Sequence, residues 1–166
     1  MEIIEKKIQV NDYVTKSNLP ASDFVINPYV GCSHGCKYCY ASFMKRFTGH
    51  KEDWGTFVDI KQCDKKINTK KLENKRVFLS SVTDCYNEFE EKYELTRKIL
   101  KQLIDVDCEL SISTKSKLIL RDLDLLKKMK NLVVSMSINT LDENFKNDMD
   151  NASSIRDRLN ALKELH

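Results

Sequence analysis

Downstream of residue 75 the chain alternates short apolar runs with longer amphipathic ones. Arg76 to Val82, Glu109 to Ser113 and Leu132 to Ile138 are too short for stable helices and rich in aliphatic residues, so they predict strands. Between the first two, the spacing predicts a helix from about Glu88 to Ile104, with Phe89, Tyr93, Leu100, Leu103 and Ile104 on one buried face. A second helix is predicted over Leu120 to Met129, with Leu123, Leu126 and Met129 inward. A third follows Ser153 or Ser154, either of which can cap it. In that helix Ile155, Leu159, Leu162 and Leu165 recur at helical spacing while Arg156, Asp157 and Lys163 face water. Upstream, residues 24 to 30 read as a short strand and residues 40 to 48 as a short helix, separated by a cysteine-bearing loop. Trp54 to Lys61 alternates like a strand within mixed polarity and reads as an excursion before the next core strand.

Strands alternating with helices of this length predict parallel βαβ units. Right-handed crossovers then wrap the helices around the outside of a curved sheet, giving a barrel-like α/β fold. On this reading residues 23–166 form the core domain, behind an N-terminal arm of residues 1–22.

Composition bounds this picture without redirecting it. A chain of 166 residues with 41% hydrophobic content can bury one good core, and no apolar run has the length of a membrane helix. The net charge of +3 comes from 28 basic and 25 acidic residues, largely interspersed. Lys65 to Lys75 is lysine-rich, but no aromatic residue interleaves it to stack on bases, so it reads as solvated surface.

Candidate chemistry concentrates in NPYVGCSHGCKYCYA, residues 27 to 41. Thiols at i, i+4 and i+7, with Gly31 and Gly35 free to take unusual backbone angles, suit a loop folded around an iron–sulfur cube. Three ligands leave one iron open to a small molecule. Zinc would need a fourth ligand, for which His34, His50 and Cys63 are the nearest candidates. A non-catalytic iron–sulfur or zinc module, and a thiol redox protein using the C-x-x-C of residues 36 to 39, are the competing functions. Cys63, Cys85 and Cys108 are scattered and read as reduced packing residues, with no leader-like segment to favour disulfides.

The C-x3-C-x2-C pattern, with Tyr38 just before the last cysteine, resembles the radical S-adenosylmethionine (SAM) superfamily. That resemblance implies a [4Fe-4S] cluster on Cys32, Cys36 and Cys39, with the amine and carboxylate of SAM's methionine part on the open iron. It further implies reductive cleavage of SAM to a 5′-deoxyadenosyl radical that abstracts hydrogen from a substrate. The string Asn27 through Ala41 is similar to the subgroup related to spore photoproduct lyase. TDCYNEFE at 83 to 90 and TKSKLILRD at 114 to 122 fit the same subgroup, the former with Cys85 where proline is usual. The resemblance runs from about residue 18 to the end and implies a partial (βα) barrel of about four βα units, a parallel sheet with outer helices.

It also implies roles for residues at the carboxyl ends of the strands, where such sheets build their sites. Thr83 and Asp84 would hold the methionine end of SAM, Lys115 would lie near its carboxylate, and Ser137 would bond its ribose with Asn139 nearby. Tyr38 and Tyr40 would approach the adenine end and the cluster. Each has a plainer reading: a helix cap for Thr83 and Asp84, a surface lysine, a solvent-facing strand serine, and loop-packing aromatics. His34 could bond a cluster sulfide or face solvent. The lyase returns a hydrogen atom from a cysteine three residues before the matching Asp, where this chain has Ser81. Cys85 is a candidate hydrogen donor in its place, or else a buried structural thiol.

Relatives of the subgroup continue into fifth and sixth βα units. The expectation is therefore an exposed edge on the fourth strand, self-association through that edge, and weak or no turnover from these residues alone. A ferredoxin or flavodoxin would supply the electron, a reducing cytoplasm would protect an open iron, and no membrane is involved. The substrate is unknown, nucleic acid being suggested by analogy with the lyase alone.

Overall fold

The computed structural model describes residues 2–166. Eight strands form in chain order. They are β1 (Ile4–Gln9), β2 (Val14–Lys16), β3 (Phe24–Ile26), β4 (Tyr29–Gly31), β5 (Phe57–Gln62), β6 (Arg76–Leu79), β7 (Glu109–Thr114) and β8 (Asn131–Met136). The α-helices are α1 (Phe89–Tyr93), α2 (Leu95–Leu103), α3 (Leu123–Leu126), α4 (Glu143–Met149) and α5 (Ile155–Leu165), with 3-10 helices at Tyr40–Phe47, Thr69–Leu72 and Lys117–Asp122.

The main sheet has the order β2-β3-β6-β7-β8, and β3, β6, β7 and β8 run parallel as the alternation predicts. Its register sets Val77 beside Leu110 and Leu110 beside Leu132. Since side chains alternate across a strand, these residues with Leu79 and Ile112 all face the helices. There they pack on Leu100, Leu103, Ile119 and Leu126 in one core. The opposite face carries Phe78, Ser111, Ser113, Val133 and Ser135, all partly or fully exposed. The fold is thus an α/β partial barrel with helices outside and a small, polar inner face.

The first 22 residues hold strands the sequence pattern does not announce. β1 runs parallel to β5, which also pairs antiparallel with β4, making a second sheet of order β1-β5-β4. β2 lies antiparallel on β3 and extends the main sheet. β1 is almost wholly exposed and carries Lys6 and Lys7, features that discourage further strand pairing. The excursion at 54 to 61 is therefore the centre of a sheet.

Three helices differ from their predicted form. The stretch from 88 to 104 is two helices, broken at Glu94 in a left-handed conformation (φ 51°). The buried Glu90 carboxylate causes the break, since it accepts bonds from the Thr96 and Arg97 amides and caps α2 (3.0 and 3.2 Å). The helix at 120 to 129 is a 3-10 helix followed by one α turn, because Ser116 starts the turn early by accepting from the Leu118 amide. α5 begins at the Ser154 cap as expected, but its buried face is Ile155, Arg158 and Ala161, leaving Leu159 and Leu162 exposed. α4, capped by Asp142, was not predicted. No helix among the described residues is long and apolar enough to cross a membrane.

Candidate metal and cofactor site

The chain leaves the parallel sheet at the carboxyl end of β3, passes through β4 and enters the cysteine loop, whose path close backbone contacts fix. Gly31 has φ 84°, and a Cβ there would meet the Phe57 carbonyl at 2.3 Å. Gly35 (φ 55°) lies against Gly55 (φ 100°), where an added Cβ on Gly55 would come within 2.8 Å of the Gly35 Cα.

The loop after β6 is stitched onto it. Asn27 donates to Ser81 Oγ (2.9 Å) and accepts from the Val82 amide (3.1 Å), while Thr83 Oγ1 donates to the Gly31 carbonyl (2.6 Å). Ser80 takes φ 78°, an uncommon conformation for a residue with a side chain, and its hydroxyl accepts from the Cys85 amide (2.9 Å).

Asp84 ties three segments together. One carboxylate oxygen accepts from the Tyr86 amide (2.9 Å) and Thr114 Oγ1 (2.8 Å), and the other from the Lys115 amide (2.8 Å) with His34 Nδ1 at 3.3 Å. Burial alone would raise its pKa, but the His34 charge and the donated bonds bring it down to about 2. Burial likewise pulls the His34 imidazole down, yet Cys32 and Asp84 outweigh it and hold the ring well above its ordinary value. Asp84 does not cap α1, and its carboxylate accepts three hydrogen bonds and faces His34 Nδ1 at 3.3 Å. That corrects the reading of Asp84 as a helix cap, and the residue also lines the cavity shared by Cys32, Cys36 and Cys39. It shapes the site by fixing the loops that bear Cys32 and Lys115.

Cys32, Cys36 and Cys39 are partly exposed free thiols that line one cavity of about 130 Å³. Thr83, Asp84, Lys115 and Ser137 line it too, as does His34. Burial raises the Cys36 pKa, and Lys115 pulls the other way. The Lys115 ammonium sits 5.7 Å from the centre of the Tyr38 ring and has no carboxylate partner among the described residues. Tyr40 also borders the cavity, its hydroxyl donating to the Ser81 carbonyl.

Three candidates fall elsewhere. Tyr38 turns its hydroxyl to Asp150 (3.0 Å) and presents its ring to Lys115 from outside the cavity. Asn139 is exposed and does not line it. Cys85 is fully buried in the hydrophobic core, so the structure gives the plainer reading, a packed thiol.

The donor set fits a [4Fe-4S] cluster better than a single ion. Among the described residues no three ligating side chains converge on one point. Of the candidate fourth zinc ligands, His34 lines the cavity but turns Nδ1 to Asp84 (3.3 Å), His50 is engaged on both nitrogens by Glu52 and Asp59, and Cys63 bonds the Lys65 carbonyl. Three thiols around a shared cavity match a cluster whose corners are held separately.

Two buried ionic networks escaped the sequence reading. Arg158 and Asp150 pair at 2.6 Å with both side chains fully buried. Arg158 also donates to the Ser137 carbonyl (3.1 Å) and the Ser153 carbonyl (2.8 Å). With the backbone bonds Lys37 N to Met149 O and Asn151 N to His34 O, this network fastens the cysteine loop to the α4–α5 connection. In the second, Arg121 donates to Glu90 (2.7 Å) and Asp122 (2.9 Å), and Tyr86 donates to Asp122 (3.1 Å). TDCYNEFE and TKSKLILRD are therefore two halves of one buried cluster. A helix-face pattern treats Arg158 as solvent-facing, and the signal available was an arginine at the core position of an otherwise apolar stripe.

With fold and site in view, the chain belongs to the radical SAM superfamily, whose sequence profile matches residues 26–166 and whose members generally use a [4Fe-4S] cluster and SAM. Among its relatives is an uncharacterized protein of Methanocaldococcus jannaschii, 40% identical over 167 residues, covering all of this chain and 63% of that protein. An uncharacterized protein of Acidianus two-tailed virus is 34% identical over 134 residues, covering 74% of this chain and 44% of that one. The chain thus spans less than two thirds of the length of these relatives. In fold it is similar to a spore photoproduct lyase variant with dinucleoside spore photoproduct (TM-score 0.70, 17% identity, 97% of this chain and 47% of that one). Another lyase variant, with bound AdoMet and the same ligand, gives a TM-score of 0.65 at 17% identity over 92% of this chain and 44% of that one.

Proposed function

We propose that this chain is the catalytic core of a radical SAM enzyme, with Cys32, Cys36 and Cys39 holding a [4Fe-4S] cluster. When bound, cluster and SAM supply the chemistry: one electron from a ferredoxin or flavodoxin breaks the C5′–S bond, releasing methionine and a 5′-deoxyadenosyl radical that takes hydrogen from the substrate. The observation that carries this reading is the meeting of three reduced thiols, an unpaired ammonium and two hydroxyls in one cavity.

The protein's own part is positional. Lys115 offers a compact positive charge to the carboxylate of SAM, and Ser137 a hydroxyl to its ribose. Thr83 spends its proton on Gly31 and keeps its lone pairs for a donor such as the ammonium of SAM. The Asp84 and Asp150 networks hold these groups in place, and Asp84, which borders the cavity itself, adds a negative charge on the side of the ammonium of SAM. A thiol-exchange function is disfavoured because burial raises the Cys36 pKa, the reverse of an activated C-x-x-C thiol. An open iron calls for a reducing setting such as the cytoplasm. The substrate is not carried over from the lyase, since Ser81 stands where that enzyme has its cysteine.

The test is anaerobic reconstitution with iron and sulfide, reduction with dithionite, and chromatography for 5′-deoxyadenosine. Slow formation of 5′-deoxyadenosine and methionine, lost in Cys36→Ala and reduced in Lys115→Gln, is expected. A fully loaded cluster that leaves SAM intact contradicts the proposal for this chain.

A further inference from the structure

A second cavity of about 650 Å³ adjoins the cofactor cavity, and Tyr40 and Val82 line both. It opens on the inner face of the parallel sheet at Phe78, and Phe43 and Trp54 close its sides. The walls are mainly apolar and aromatic, which suits a planar apolar group. Lys61 enters this setting from β5. Strand alternation directs Val58 and Ile60 into the small core with Tyr29, and sends Phe57, Asp59 and Lys61 to the other side. Asp59 is no partner for Lys61, because His50 holds it at 2.8 Å. Among the described residues Lys61 makes no ion pair and no side-chain hydrogen bond. Its burial lowers its pKa from the ordinary lysine value, with no neighbouring charge to offset the effect. Lys16 stands exposed at the rim of the same cavity.

A half-buried ammonium without a counter-charge costs free energy, and a ligand's negative charge would repay it. We propose that this cavity is the substrate site and takes a molecule with a planar apolar body and an anionic group, phosphate or carboxylate, paired with Lys61. Its role as a substrate site rests on the radical SAM reading above. Ligand recognition does not, and it can be measured without cluster or SAM.

Trp54, the sole tryptophan, reports from the cavity wall. Its emission, excited at a wavelength where phenyl groups do not absorb, is followed during titration with phenyl phosphate, 3-phenylpropanoate and neutral 3-phenylpropanamide. Saturable shifts are expected with the two anions. Their Kd should rise tenfold or more in Lys61→Met and stay close to wild type in Lys61→Arg, while the amide binds wild type and Lys61→Met alike. Tighter binding of phenyl phosphate marks a phosphate ligand, and tighter binding of the propanoate a carboxylate. No saturable binding, equal affinity for amide and anions, or an unchanged Kd in a folded Lys61→Met protein each overturns the proposal. Charge-selective binding by a chain that fails the 5′-deoxyadenosine test would keep the anion site and remove its role as a substrate site.

Discussion

Single side chains here act more by fixing the backbone than by reaching a ligand. Asp84 is the leading case, with three hydrogen bonds and the His34 ring on two oxygens. Its depressed pKa gives the pH dependence its sign: the stability it contributes is fully present above its ordinary value of 3.8 and is lost as pH falls toward about 2. By linkage that contribution is on the order of 2 kcal/mol. Asp84→Asn should remove that acid-side dependence and weaken the fold by about 1 to 3 kcal/mol, because an amide nitrogen cannot accept the bonds that one carboxylate oxygen accepts and carries no charge for His34. Urea denaturation of both proteins between pH 2 and 5 checks this, and parallel acid limbs would refute it. Tyr38→Phe deletes only the hydroxyl that reaches Asp150. A loss of about 1 kcal/mol in the same assay is expected, with the aromatic ring still available to Lys115.

Among the elements, α4 and α5 matter most to the site, although they lie after the last strand. Their connection carries Asp150, which meets Tyr38 of the cysteine loop, and α5 carries Arg158, which meets the end of β8. Asp150→Asn should destabilise by about 3 to 5 kcal/mol, since it leaves the buried Arg158 without its carboxylate, and Arg158→Met should cost less, since Lys146 Nζ still lies 3.4 Å from Asp150. The double variant should cost less than their sum, and thermal unfolding of all three would show strict additivity if the two residues act independently. The alternation of β6, β7 and β8 with helices was legible because apolar periodicity records which face is buried, and the cysteine spacing was legible because its chemistry is local. The break at Glu94, the inward turn of Arg158 and the pairing of β1 with β5 were not. The pairing of β1 with β5 joins segments far apart in the chain, whereas the break is set by Glu90 on Thr96 and the turn of Arg158 by Asp150 eight residues away, polar contacts that an apolar period does not record. The apolar spacing of Leu159 and Leu162 was real but marks a face left open in this chain.

At the scale of the whole molecule, four parallel strands deliver the cysteine loop, Thr83, Lys115 and Ser137 to one rim, while the core lies on the opposite face of the sheet. The aromatic cavity shares a wall with that rim, so cofactor and substrate groups would face each other across Tyr40 and Val82. Under the proposed function, SAM binding, rather than turnover, is the property these residues have in common. The most direct measurement is the electron paramagnetic resonance spectrum of the anaerobically reconstituted, reduced protein with and without SAM, with Cys36→Ala as control. A reduced-cluster signal that changes on adding SAM, absent in Cys36→Ala and less responsive in Lys115→Gln, is the predicted result. A cluster signal identical with and without saturating SAM would contradict the account.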